Sequence, residues 1–135
     1  MKKNQQRPAF TLVELIVVLA ILAVLLVVIV PRVTGYVGNA RETAAQNNAS
    51  AIMHAAELYI VEQDRDGKPV AAELENGGAL DAYIENLDAD DRYTLHISYN
   101  ESTRNYDISG SYTSGEITVT IPDMTIERGA TTTHP

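Results

Sequence analysis

A long N-terminal helix set against a small antiparallel sheet, an α+β architecture, is the fold this sequence predicts. Three observations carry that expectation. Leu15 to Val30 is an unbroken run of sixteen apolar residues, the mark of a helix that is apolar all round. From Val33 to Leu58 apolar residues recur at intervals of three and four, the helical period. Between Tyr93 and Ile121 three segments alternate apolar and polar residues, which predicts a three-stranded meander with one face on the helix. The expected organisation is a basic leader (1–9), an apolar helix half (10–30), an amphipathic helix half (31–62) and a globular head (63–135).

Composition narrows the function. The 135 residues suit one domain. After leader and apolar segment, roughly 100 residues remain, room for one modest core rather than an enzyme with a deep cleft. There is no cysteine, so neither a disulfide nor thiol chemistry is available. Lys2, Lys3 and Arg7 give the first nine residues a formal +3, whereas seven basic and eighteen acidic side chains give the remainder −11. Basic residues before an apolar span favour a cytoplasmic N-terminus. The acidic remainder then lies outside the membrane, and its charge argues against direct nucleic-acid binding.

The leader has two plain readings. One is a secretory signal peptide. Against it, Phe10 to Val30 is 21 residues long and Pro31-Arg32-Val33 follows in place of a small-x-small cleavage site. The other is a single-pass anchor, for which about 20 apolar residues suffice. Glu14 fits neither comfortably, because a charge at membrane depth costs about 2.5 kcal/mol or more. Thr11-Leu12-Val13-Glu14 does match a capping box, in which the two side chains satisfy free helix N–H groups. That role is local and does not explain an acid inside an apolar assembly.

Arg7-Pro8-Ala9-Phe10-Thr11-Leu12-Val13-Glu14, with the apolar run behind it, resembles the type IV pilin family, pseudopilins included. The specific resemblance covers Lys2 to about Pro31. It implies that a prepilin peptidase cuts between Ala9 and Phe10, that Phe10 becomes N-methylated, and that Glu14 is the fifth mature residue. It also implies that Glu14 of one subunit neutralises the new α-amine of Phe10 on its neighbour. In a low-dielectric core, removing one such charge strands the other. Ala9 departs from the glycine usual before the cut, although it is still small. Pro8 biases Arg7 toward an extended form, which suits a strand-like substrate.

Phe10 to about Glu62 is expected to be one helix, about 80 Å long at ~1.5 Å per residue. Val33, Val37, Ala40, Ala44, Asn48, Ala51, Ala55 and Leu58 form the stripe expected to face the sheet. Pro31 removes a helix hydrogen bond. A boundary kink is its plain reading, whereas the resemblance implies a point of bending or melting during assembly, eased by Gly35 and Gly38. Asp64-Arg65-Asp66-Gly67-Lys68-Pro69 is a helix stop. It lacks the third ligand and distal Glu of a calcium loop, so a solvated turn is expected there.

In the head, Asn76-Gly77-Gly78 is expected to be a turn, and Leu80 to Leu87 a short helix burying Leu80, Tyr83, Ile84 and Leu87. Asp88, Asp90 and Asp91 are the calcium candidates, because major pseudopilins of type II secretion bind calcium in a head loop. A solvated acidic loop is the reading adopted, and no metal or other cofactor is assigned. The expected strands centre on Tyr93–Tyr99, Tyr106–Ile108 and Ile117–Ile121, closed by Pro122. Gly129 to Pro135 is expected to be a loose tail. His54, His96 and His134 have no ligand spacing, and no nucleophile or phosphate-loop motif occurs, so no enzyme activity is assigned.

The resulting expectation is a pilin subunit held in the cytoplasmic membrane, N-terminus inside, then cut and extracted into a surface filament for adhesion, motility or DNA uptake. The resemblance implies like subunits as polymer partners, together with the peptidase, a membrane platform protein and a cytoplasmic assembly ATPase. A pseudopilin of a secretion or competence machine is the first alternative. A plain membrane anchor whose head binds a soluble partner is the second. Asn48-Ala49-Ser50 and Asn100-Glu101-Ser102 also match glycosylation sequons.

Overall fold

The computed structural model describes residues 9–85 and 87–129. The leader positions Lys2, Lys3, Arg7 and Pro8, and the tail from residue 130 onward, lie outside the described residues. The chain divides into two compact units, Met1–Asn39 and Ala40–Pro135.

Helix α1 runs Leu12–Arg65. Thr11 caps its start, so it begins two residues later than expected. Its end is a Schellman turn. Lys68 N–H donates to Gln63 carbonyl (2.9 Å) and Gly67 N–H to Asp64 carbonyl (3.2 Å). Gly67 takes the left-handed conformation this turn needs, φ 65°. The glycine stop expected from sequence therefore works as such.

In the first unit every residue from Leu12 to Val30 is exposed. Part of this helix is long and apolar enough to cross a membrane, by length and composition. Water would pay heavily to hydrate such a surface, so lipid or other helices must cover it. Pro31 lies inside α1, and Thr34 Oγ1 donates to its carbonyl at 3.0 Å.

The second unit packs the later part of α1 against one antiparallel sheet. Its strands are β1 (Glu73–Glu75), β2 (Arg92–Asn100), β3 (Asn105–Ser114), β4 (Ile117–Ile121) and β5 (Thr125–Arg128), adjacent in chain order. The sheet has five strands rather than the three expected. At three residues, β1 is too short to show a period; it is recruited because Leu74, 2% exposed, pairs with Leu95. Pro122 does close β4, but the chain reverses at once through Met124, φ 55°, into β5. A reversal without glycine or asparagine at its left-handed position leaves little turn signal. Gly110 hides the true length of β3, because it interrupts the alternation between Ile108 and Tyr112.

The helix stripe also needs correction. Ala45, Ala49, Ile52, Ala56 and Tyr59 face the sheet, with Ala55 and Ile60 at the margin. Of the expected positions Ala55 is buried and Asn48 half-buried, while Ala40, Ala44, Ala51 and Leu58 are exposed. Alanines occur on both faces of this helix, so they cannot choose between them. The bulk of Ile52 and Tyr59 does, since each large side chain offers about 1.5–3 kcal/mol on burial. Small residues at Ala45, Ala49 and Ala56 let the sheet approach.

The expected helix from Leu80 is a 3₁₀ helix at Ala79–Tyr83, ended by extended Ile84. Leu80 is fully buried, and Tyr83, Ile84 and Leu87 pack half-buried against the core. On β2, Tyr93, Leu95 and Ile97 face inward, but Tyr99 is 54% exposed and stacks edge-on against Tyr106 at 5.1 Å.

Candidate functional site

The N-terminal site is built on the start of α1. Ala9 and Phe10 lie outside regular secondary structure, both are exposed, and Phe10 is 92% accessible. A peptide bond in this setting can enter a protease without unwinding a helix. Glu14 N–H donates to Thr11 Oγ1 (3.2 Å), and Thr11 N–H donates to Glu14 Oε2 (2.9 Å). This is a complete capping box, and it uses one carboxylate oxygen. Among the described residues Oε1 of Glu14 accepts no hydrogen bond. Around it Phe10, Val13, Leu15, Val17 and Val18 form an apolar surface. An exposed anion at the mouth of an apolar helix is thus anchored to its own backbone and still able to receive a cation.

The head contains a second polar arrangement. Tyr112 of β3 is fully buried, and its hydroxyl donates to Asp91 Oδ2 at 2.7 Å while accepting from Asn48 Nδ2 at 3.0 Å. Asp91 is 2% exposed, and its Oδ2 also accepts from Asp88 N–H at 3.2 Å. Asn76 Nδ2 donates to Asp91 carbonyl (2.9 Å), and Asn76 Oδ1 accepts from Tyr93 N–H (2.6 Å). The Tyr93 hydroxyl donates to Asp81 Oδ1 at 2.6 Å, and Asp81 Oδ2 accepts from Gly77 N–H at 2.8 Å. This network ties helix, loop and sheet together and satisfies the buried polar groups of Asp91, Tyr93 and Tyr112.

The calcium candidates are therefore not gathered into one ligand set. Asp91 points inward to Tyr112, while Asp88 and Asp90 are exposed. Among the described residues no group of three acidic or histidine side chains is placed to hold a metal. The sequon asparagines also have structural work. Asn48 serves Tyr112, and Asn100 Oδ1 accepts from Ser102 N–H at 3.0 Å in the β2–β3 turn. Sequence reasoning missed the Asn48–Tyr112–Asp91 connection. Its available signal was one polar residue, Asn48, inside an alanine-rich stripe.

Removing the carboxylate tests this network. Asp91→Ala strands the Tyr112 hydroxyl and the Asp88 N–H, and is expected to cost about 2–4 kcal/mol. Asp91→Asn keeps an acceptor oxygen and is expected to cost about 1 kcal/mol. Urea unfolding of the full chain in detergent measures both; equal losses would show that acceptor geometry is not the cause.

Burial, followed by the hydrogen bond to Asp81, holds the Tyr93 phenol far above its ordinary range. Burial also raises Tyr112; its bond to Asn48 opposes the rise and that to Asp91 adds to it. Folded phenols thus keep protons that unfolded phenols release above about pH 10. Their contribution is full below that pH and is lost as pH rises toward the folded values. The melting temperature is expected to fall steeply above about pH 10, and less steeply in Tyr93→Phe. An unchanged slope in that variant would remove Tyr93 as the cause.

Residues 5–30 match the prokaryotic N-terminal methylation motif, the class III signal peptide of type IV pilins and pseudopilins. The match includes Ala9, Phe10, Glu14 and the apolar run, and stops before Pro31 and the head. No curated protein and no solved structure matches the chain.

Proposed function

We propose that this chain, which carries the signal peptide of type IV pilins and pseudopilins, is the precursor of a surface pilus subunit. The observation that carries the proposal is Glu14, a carboxylate at the head of a fully exposed apolar helix, with one oxygen committed to the helix cap. Prepilin peptidase hydrolyses the Ala9–Phe10 bond, removes residues 1–9 and leaves an α-amine on Phe10, which is then methylated. The apolar half, 10–30, anchors the precursor in the cytoplasmic membrane and afterwards lines the fibre core. There Glu14 pairs with the Phe10 amine of a neighbouring copy, replacing the lipid environment by a compensated charge pair. Pro31 is the place where the helix bends or melts as subunits enter the fibre. The amphipathic half, 31–62, carries the head, 63–135, on the outside, where its acidic surface is solvated. A platform protein and a cytoplasmic ATPase drive extraction. The chain is structural and not an enzyme.

The deciding experiment is the intact mass of the protein in sheared filaments and in membranes. A methylated chain beginning at Phe10 in the sheared fraction is the expected result. The same chain confined to membranes would assign a pseudopilin instead. An uncut chain would leave a plain anchor.

A further inference from the structure

We propose that Arg32 and Tyr36 bind the phospholipid phosphates of the outer leaflet and, with Glu14 at the inner face, fix the depth at which the precursor is stored. The inference rests on the membrane-anchored, N-terminus-inside part of the reading above. Leu15 to Pro31 holds no charged or hydrogen-bonding side chain, and Arg32 is the first charge after it. At the other end the Glu14 carboxylate is drawn back one turn, to the Thr11 N–H at 2.9 Å, the direction in which helical side chains lean. Thr11 and Arg32 are twenty-one positions apart, about 31 Å at ~1.5 Å per residue. The hydrocarbon core of a bilayer is about 30 Å thick. When one of these charges lies in its headgroup layer, the other reaches the opposite layer without entering hydrocarbon.

Position along the helix singles out Arg32, and its surroundings fit the phosphate layer. Arg32 and Tyr36 share one helix face a turn apart, and both are exposed, Tyr36 by 74%. Val28, Ile29 and Val33 beside them are apolar and exposed. The arginine stem can therefore lie along apolar surface while its guanidinium takes phosphate oxygens through charge-assisted hydrogen bonds. A tyrosine, with an apolar ring and a polar tip, suits the same layer. Displacement is then opposed in both directions. Outward movement draws the Glu14 carboxylate into hydrocarbon, and inward movement draws Arg32 there. The Glu14 carboxylate is thus hydrated while the precursor is stored. It meets an apolar surround only on extraction, where the Phe10 amine of a neighbouring copy compensates it.

Depth is read on the full-length precursor in a host without prepilin peptidase, using single cysteines, the natural chain having none. Ile16→Cys lies just inside the inner edge, far along the helix from Arg32, and its labelling by a membrane-impermeant maleimide is followed in inverted membrane vesicles. Moving the cation outward with Arg32→Leu and Tyr36→Arg displaces the anchor by four residues, about 6 Å. The helix should slide inward, and labelling of Ile16→Cys is expected to rise about fivefold or more. Arg32→Lys, which keeps a cation, is expected to change it by less than about twofold. Unchanged labelling in the relocated variant would overturn the anchor, and so would an equal rise with Arg32→Lys. In reconstituted vesicles of phosphate-free diglycosyl diacylglycerol, the difference between the natural and relocated anchors is expected to vanish. A difference that persists there would overturn phosphate as the partner. Ala9→Cys labelled only from the outer side would overturn the orientation and the anchor together. The expected depth in a chain that is never cut in its own cells would overturn the filament reading alone.

Discussion

Glu14→Gln is expected to abolish filament assembly while the precursor still inserts in the membrane and is still cut. Glutamine keeps an amide oxygen that can accept from Thr11 N–H, so the capping box seen at 2.9 Å and 3.2 Å is retained. Only the charge is lost. In a fibre core that leaves the Phe10 amine of the next copy without a counter-ion, at about 3–5 kcal/mol per buried pair. Three kcal/mol is already more than a hundredfold in an association constant, and every added subunit would incur it. Glu14→Ala should be as severe, with a cap lost as well. Thr11→Ala is the control from the opposite side. It removes the cap at about 1 kcal/mol and leaves the carboxylate, so filaments should persist at reduced yield. Immunoblots of sheared and membrane fractions measure all three. Abundant filaments from Glu14→Gln would mean that capping is all Glu14 does.

These variants separate two roles that the sequence could name but not rank. Thr11-x-x-Glu14 was legible as a cap and the cap is present, because its geometry depends on four consecutive residues. The class of fold was legible for a similar reason. A run of sixteen apolar residues and the Tyr93–Ile97 alternation are local signals. What the sequence concealed depends on partners distant along the chain. Asp91 looked like one of three loop acids until Tyr112, twenty-one residues on, was found to hold it. The face of α1 that meets the sheet was ambiguous because Ala44 and Ala45 are chemically alike, and only the sheet distinguishes them. Leu74 became a strand residue because Leu95 lies opposite.

Gly110→Ala is expected to destabilise the head more than alanine at any other described glycine, because its Cβ would meet backbone at the shortest distance. Gly110 lies in β3 opposite Leu95 of β2 on one side and Ile121 of β4 on the other. A Cβ there would stand 2.1 Å from the Thr94 carbonyl oxygen and 2.9 Å from Leu95 Cα. Both are backbone atoms of a strand that is itself paired on two sides, so neither can yield by a rotamer change. Relief requires β2 and β3 to separate beside the buried side chains of Tyr93 and Leu95. A cost of about 3 kcal/mol or more follows, against a typical total of about 5–15 kcal/mol. Gly35→Ala supplies the contrast, because nothing lies within 4 Å of its Cβ position, and alanine should strengthen the helix by about 0.5–1 kcal/mol. Thermal melting and limited proteolysis of the full chain in detergent compare the two. Both Gly110→Ala and Glu14→Gln would leave cells without filaments, but through different losses. The first should deplete the precursor itself, as an unfolded head is degraded, whereas the second should leave a cut, folded subunit accumulating in the membrane. A Gly110→Ala head that melts like wild type would show that the β2–β3 approach is looser than these distances require.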